Sequence, residues 1–444
     1  MRRLLALAAT MVALAVGPAA AEWPVTTFTL DNGLEGVVIE DRRAPVATHM
    51  VFYRVGGADE PAGRSGLAHW LEHLMFKDAD TAVEGGFSAL VAANGGQDNA
   101  FTSPDVTAYF QRIASDRLGF VMGLEASRMR DLEVGEAEAL TERDVILEER
   151  AQRVENDPSG RFGEQRSAAM YLNHPYGQPL IGWRHEIAKL QLADALAFHA
   201  RHYGPDNAVL VVAGDVDPET VERLALEHYG DIPSIGAVPR ERVSEPPHAA
   251  PRRVLYEDAR VRQPYVMREF LAPTRRTDPE RAAALEMLAA VLGDGLNARL
   301  QQALTVEREL AVATGAWFAG SARDYGEFAV YAAPQPGVSL DEIEAAMDGV
   351  LETFLASDGP SAEEMERVKT RWRASWIYSQ DSQSTLARRY GHGLAIGMSI
   401  EEIEAWPETL QAVTAEDVME VARAVLRPEA SVTGRLQAPE GVEG

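Results

Sequence analysis

The chain contains no cysteine. That excludes disulfides, a cysteine nucleophile and thiolate metal ligands, so any zinc bound here must be held by imidazole and carboxylate. Positive charge is also scarce: 42 Lys and Arg stand against 68 Asp and Glu, a formal net charge of −26. Such a surface repels nucleic acid and anionic lipid, keeps the chain in solution and favours basic substrates. Short-period repeats are missing, and so are long apolar runs beyond the first residues. There, Arg2 and Arg3 precede an apolar run from Leu4 to Val16, and Ala19, Ala20 and Ala21 precede Glu22. A basic start, an apolar stretch and small residues at a cleavage point predict a secretory signal over 1–21. The run is short of the ~20 residues a spanning helix needs. The mature chain is therefore expected to be exported to the periplasm, to lose two arginines with its leader, and to have no transmembrane segment.

What is present suits a globular protein. The 444 residues are 46% hydrophobic, enough to bury sizeable cores in about two or three domains. Two β-type runs, 26–30 and 34–39, flank Asp31-Asn32-Gly33 and predict a hairpin. Strands are expected at 47–55, 97–102, 106–112 and 207–213, and helices at 66–77, 87–93, 114–130, 134–154 and 218–229. A stretch rich in proline and charge follows, and the pattern then restarts. Strands are expected at 253–256, 265–271, 311–318, 327–333 and 430–436. Helices are expected at 280–292, 296–306, 340–356 and 362–379, with more up to 426. The organisation is thus a leader, a first half over 22–231, a linker over 232–252, a second half over 253–437 and a tail over 438–444. Each half is α+β, about 200 residues long.

One segment carries chemistry: Gly66-Leu67-Ala68-His69-Trp70-Leu71-Glu72-His73-Leu74-Met75-Phe76. On a helix His69 and His73 lie one turn apart on one face, where two imidazoles can grip one zinc ion, and Glu72 lies beside them. A carboxylate there can act as general base. The order His-x-x-Glu-His reverses the commoner His-Glu-x-x-His. Leu67, Leu71, Leu74 and Phe76 make the helix partly buried, so its polar groups need partners or a metal. A third ligand is best sought on the helix holding Glu142, Glu148 and Glu149. Glu142 and Glu149 are two turns apart on one face, so one can ligate while the other supports a histidine. His199 and His202 are read as structural; His174 and His185 lack ligand spacing, and Trp183 is read as packing.

These motifs resemble the M16, or pitrilysin-type, metallopeptidases, in particular the short bacterial members and the β subunit of the mitochondrial processing peptidase. Further matching stretches are Gly95 to Thr102, Tyr203 to Asn207 and Val211 to Asp215. The resemblance covers most of the mature chain. It implies two similar α/β-sandwich halves, each a mostly antiparallel sheet packed with helices, together forming half of a clam-shaped chamber. It implies one zinc per chain and a peptidase acting on peptides or unfolded segments. In the family the third ligand is a glutamate about 76 residues after the second histidine, which selects Glu149 rather than Glu148 and gives Glu142 the supporting role. Asn99, Ala100, Phe101 and Thr102 match an exposed edge strand to which substrate adds as a further strand. One departure stands out. Self-sufficient members carry an Arg and a Tyr seven residues apart in the second half; here those positions are Thr305 and Val312. Arg308 is one turn on from Thr305, nothing replaces the tyrosine, and Arg389-Tyr390 has the wrong spacing. The chain therefore resembles the catalytic subunit of a heterodimer whose related partner supplies the pair. A self-sufficient homodimer and a non-catalytic subunit, like the core proteins of respiratory complexes, are the alternatives.

Overall fold

The computed structural model describes residues 23–77 and 86–439. The expected leader, 1–21, lies outside the described residues, as does the end of the expected tail. In the first half the elements are β1 (Val25–Thr29), β2 (Glu35–Glu40), β3 (Val46–Tyr53), α1 (Leu67–Leu74), α2 (Gly86–Ala93), β4 (Gln97–Thr102), β5 (Thr107–Ala114), α3 (Leu118–Arg130), α4 (Glu136–Arg150), α5 (Pro158–Met170), α6 (Arg184–Ile187), α7 (Leu192–His202), β6 (Ala208–Gly214) and α8 (Pro218–Tyr229). In the second they are β7 (Arg252–Glu257), β8 (Tyr265–Ala272), α9 (Pro279–Gly293), β9 (Ala311–Ala319), β10 (Gly326–Pro334), α10 (Leu340–Ala356), α11 (Ala362–Ser379), α12 (Gln383–Ile396), α13 (Ile400–Glu404), α14 (Trp406–Ala412), α15 (Ala415–Val425) and β11 (Ser431–Gln437).

The expected hairpin forms, with Val25 opposite Ile39. The first sheet runs β1-β2-β6-β3-β5-β4 and the second β7-β11-β8-β10-β9. Each is antiparallel except for one parallel pair, β2 with β6 and β7 with β11. The α+β expectation therefore holds. Three element expectations shift. β5 runs on to Ala114, where a helix was expected, and α3 begins only at Leu118. The helix expected over 296–306 forms late, as a wide turn over Gln301–Glu307. α5 was not anticipated; Asp157 caps it by accepting from the Ser159 N–H, and Pro158 occupies its first turn.

Each sheet buries one face under helices of its own half and the other under a helix from the opposite half. Leu386, Ala387 and Tyr390 of α12 pack on Met50, Phe52 and Val211 of the first sheet. In return Phe162 of α5 packs on Leu436 of the second. Glycine lets both helices come close. A Cβ at Gly391 would lie 2.1 Å from the Phe52 ring, and one at Gly434 would lie 2.5 Å from Phe162. Gly391→Val should therefore overpack this seam and lower stability by about 1–3 kcal/mol. Thermal denaturation checks this, and an unchanged midpoint would contradict it.

Residues 233–249 carry no helix or strand, yet they are firmly tied. Arg242 grips Asp59 through two hydrogen bonds of 2.8 Å, pairs with Asp105, and reaches Asp324 of the second half at 2.9 Å. Glu245 accepts from the N–H groups of Leu172, Asn173 and His174. No helix among the described residues is long and apolar enough to cross a membrane.

Candidate metal centre

The site grows from α1. Leu67, Ala68, Trp70, Leu71 and Leu74 are buried, which turns His69, Glu72 and His73 to the opposite, half-buried face. Both ends of this short helix are held. At its start the Glu60 carboxylate accepts from the Gly66 N–H at 2.9 Å and the Ala68 N–H at 2.7 Å. Burial pushes the Glu60 carboxyl up to about 8 against these two donors. Beyond its end, fully buried Arg128 donates to the Met75 carbonyl at 3.4 Å, lies 4.0 Å from the Phe87 ring centre, and pairs with Glu125 at 2.5 Å.

α4 packs across α1 and brings its acids to the histidines. One atom each of His69, His73 and Glu149 falls within 4.8 Å of the others. Glu149 Oε2 lies 3.6 Å from His69 Nε2 and 3.7 Å from His73 Nε2. These gaps are too long for hydrogen bonds. They approach the ~3.4 Å that separates two donors around a tetrahedral zinc. Glu149 Oε2 is buried without a hydrogen-bond partner, while Arg153 holds the other oxygen at 2.8 Å. Burial, then neighbouring His73, pulls the His69 imidazole down to about 3, so it is neutral as a ligand must be. Two imidazole nitrogens and one orphaned carboxylate oxygen converging on one point suit zinc. His69 Nδ1 is also buried without a partner.

Glu142 lies one layer out, 3.4 Å from His73 Nδ1 and 2.9 Å from Lys77 Nζ. Glu148 points away; it is exposed and accepts from Gln152. Glu72 accepts from the Thr102 hydroxyl at 2.5 Å. Burial raises its carboxyl above the usual range, opposed by that hydrogen bond and by His73. Thr102 ends β4, the edge of the first sheet, so Glu72 and the edge strand meet here. Asn99 Oδ1 accepts from the Ala100 N–H at 2.8 Å. Ala100 packs on the core beneath α1, whereas Phe101 faces the other side of the sheet.

The remaining residues are elsewhere. Thr305 contacts Gln301, Val312 is exposed on β9, and Arg308 is exposed. Arg389 stacks on Trp376, and Tyr390 bonds Glu404. His199 is buried and its Nε2 meets the Arg128 carbonyl. His174 is buried beside Asp324. Sequence reasoning missed Glu60, Arg128 and Arg153. Arg153 had a local signal, its i,i+4 spacing from Glu149; Glu60 and Arg128 act across the fold and had none.

Two family descriptions match the chain: "Insulinase (Peptidase family M16)" over residues 36–183 and "Peptidase M16 inactive domain" over 189–371. The chain is 29% identical to zinc protease PqqE of Helicobacter pylori, over 92% of this chain and 91% of that one. It is 32% identical to an uncharacterized zinc protease of Mycobacterium leprae, over 90% of this chain and 89% of that one. A crystal structure of a Helicobacter pylori protease matches with a TM-score of 0.87 and 28% identity, covering 94% of this chain and all of that one. The periplasmic protease PqqL of Escherichia coli shares the fold at a TM-score of 0.80 and 22% identity; the match covers 96% of this chain but 49% of PqqL.

Proposed function

The chain belongs to peptidase family M16, and we propose that it is an exported, periplasmic zinc metalloendopeptidase acting on peptides or unfolded segments. One observation carries the reading: a buried, unpartnered Glu149 oxygen faces two imidazole nitrogens beside Glu72, at the open edge of β4. His69, His73 and Glu149 would hold the metal, and zinc bound there would supply Lewis acidity towards a water and the scissile carbonyl. Glu142 accepts from His73 Nδ1 and fixes the ring so that Nε2 faces the metal position. The β4 backbone from Asn99 to Thr102 pairs with the substrate as an added strand. Glu72, oriented by Thr102, takes the proton of the attacking water and returns it to the departing amine.

The catalytic set is incomplete in one respect. Thr305 offers only a short hydroxyl and Val312 no donor, so this chain supplies no Arg and Tyr to the developing oxyanion. The chain also matches about half the length of PqqL. A related M16-type partner carrying the pair would complete both the site and the chamber. Mixing the zinc-loaded protein with homologues from the same cell should raise peptide turnover by on the order of 10²–10³. Full turnover alone, unchanged by any partner, would point instead to a self-sufficient homodimer. Absence of both bound metal and turnover would leave a non-catalytic assembly subunit.

A further inference from the structure

β4 has two faces, and only one of them looks towards Glu72. On the other, the Phe101 ring lies against Phe52, edge-on at 6.3 Å. Beside Phe101 opens a cavity of about 480 Å³ bounded by α11, α12 and α14. Trp376, Trp406 and Met398 contribute its apolar walls. Its charged groups are Arg275, Arg388 and Arg389, and no carboxylate among the described residues lines it. In a chain with 68 acidic and 42 basic residues this is a local reversal of charge.

Arg275 has a partner, Glu286 at 2.8 Å. Arg388 and Arg389 have no carboxylate acting on them among the described residues. The Arg388 guanidinium lies 4.3 Å from the Phe101 ring centre and 5.8 Å from that of Phe110. Arg389 lies 3.5 Å over Trp376 and donates to the Ser379 hydroxyl. Burial pulls both below the usual arginine range, Arg389 to about 10. Arg388 is exposed, so water reaches part of its guanidinium, whereas Arg389 is half-buried, and the rings beside them supply no full counter-charge. A planar guanidinium fork is matched by a carboxylate.

We propose that this cavity is a substrate subsite for a peptide carboxylate, presented by the residue that pairs with Phe101 when a peptide strand adds to β4. The proposal rests on the peptidase reading above for its strand-binding edge. Residues directly opposite each other on neighbouring strands share a face. The substrate residue opposite Phe101 therefore points towards Arg388, while the residues on either side of it point towards α1 and Glu72. The carboxylate comes from a Glu or Asp side chain or from a free C-terminus. The overall negative charge of the chain opposes acidic peptides everywhere else, so this pocket decides which of them bind.

The test measures binding apart from turnover. Fluorescent peptides in matched Glu/Gln pairs, each with a free and an amidated C-terminus, are titrated against the metal-loaded Glu72→Gln protein. Glu at one position, or the free C-terminus, should tighten binding by about ten- to a hundredfold, which identifies the source of the carboxylate. Adding Arg388→Gln and Arg389→Gln should bring the ratio towards one. Arg388→Glu should reverse it in favour of Lys, a gain that misfolding cannot produce. Equal affinities for all pairs, or no binding of any peptide, overturns the subsite. Cleavage of the same peptides by the unsubstituted protein is scored separately. Selective binding without cleavage, either alone or with the partner chain added, leaves the pocket standing and removes the peptidase reading; cleavage without selectivity does the reverse.

Discussion

Glu72→Gln is expected to leave zinc content unchanged and to reduce peptide turnover by about 10²–10⁴-fold. The amide is close in size and shape to the carboxylate, and its oxygen can still accept from the Thr102 hydroxyl, which holds Glu72 at 2.5 Å. The side chain therefore keeps its place at the end of β4. What it loses is the capacity to take a proton. None of the three convergent donors belongs to Glu72, so metal affinity is spared. Turnover on a quenched peptide, with metal analysis of the same sample, measures both at once. Near-normal turnover in this variant would remove Glu72 from the role of base, and loss of zinc would make it a ligand.

Zinc affinity should fall in graded fashion along α4. Glu148→Gln should change nothing, because that side chain is exposed and reaches only Gln152. Glu142→Gln should weaken binding by roughly 10–100-fold, the usual cost of losing an outer partner of a ligating histidine. Glu149→Gln should cost considerably more, since its Oε2 sits 3.6 and 3.7 Å from the two Nε2 atoms with no other use. Competition with a chelating dye ranks the three. If Glu148→Gln alone lost zinc, α4 would have to be rotated from its position here and the ligand set would be wrong.

The sequence pointed to the His69, His73 and Glu149 cluster for a local reason. His69 and His73 are one helical turn apart, and periodicity alone places them together. Glu142 and Glu149 were visible as a pair on one face, but choosing Glu149 over Glu148 required the family's spacing. The fold was legible where period or turn chemistry is strong, as in the hairpin around Asn32-Gly33 and the apolar β6. It was not legible in α5, whose apolar side chains are sparse among glycines and charges. That helix is held by capping and by Phe162 lying on the second sheet. Only the end of β5 was misplaced: the expected strand stopped at 112 and the expected helix began at 114, whereas β5 runs to Ala114 and a short turn over Ser115–Arg117 precedes α3. Nothing local reports that α12 covers the first sheet; that follows from packing over a long sequence separation.

The exchange of α5 and α12 between the sheets sets an order of events during synthesis. The last strand of the first sheet is complete at Gly214, but the helix that shelters its second face ends only at Ile396. At about 5–20 residues per second, that face of Met50, Phe52 and Val211 stands open for on the order of ten to forty seconds after the sheet could form. A ribosome halted at the connecting segment 233–249 would therefore hold a sticky half-sandwich rather than a finished module. Fragments cut there should require a chaperone, or each other, to stay in solution.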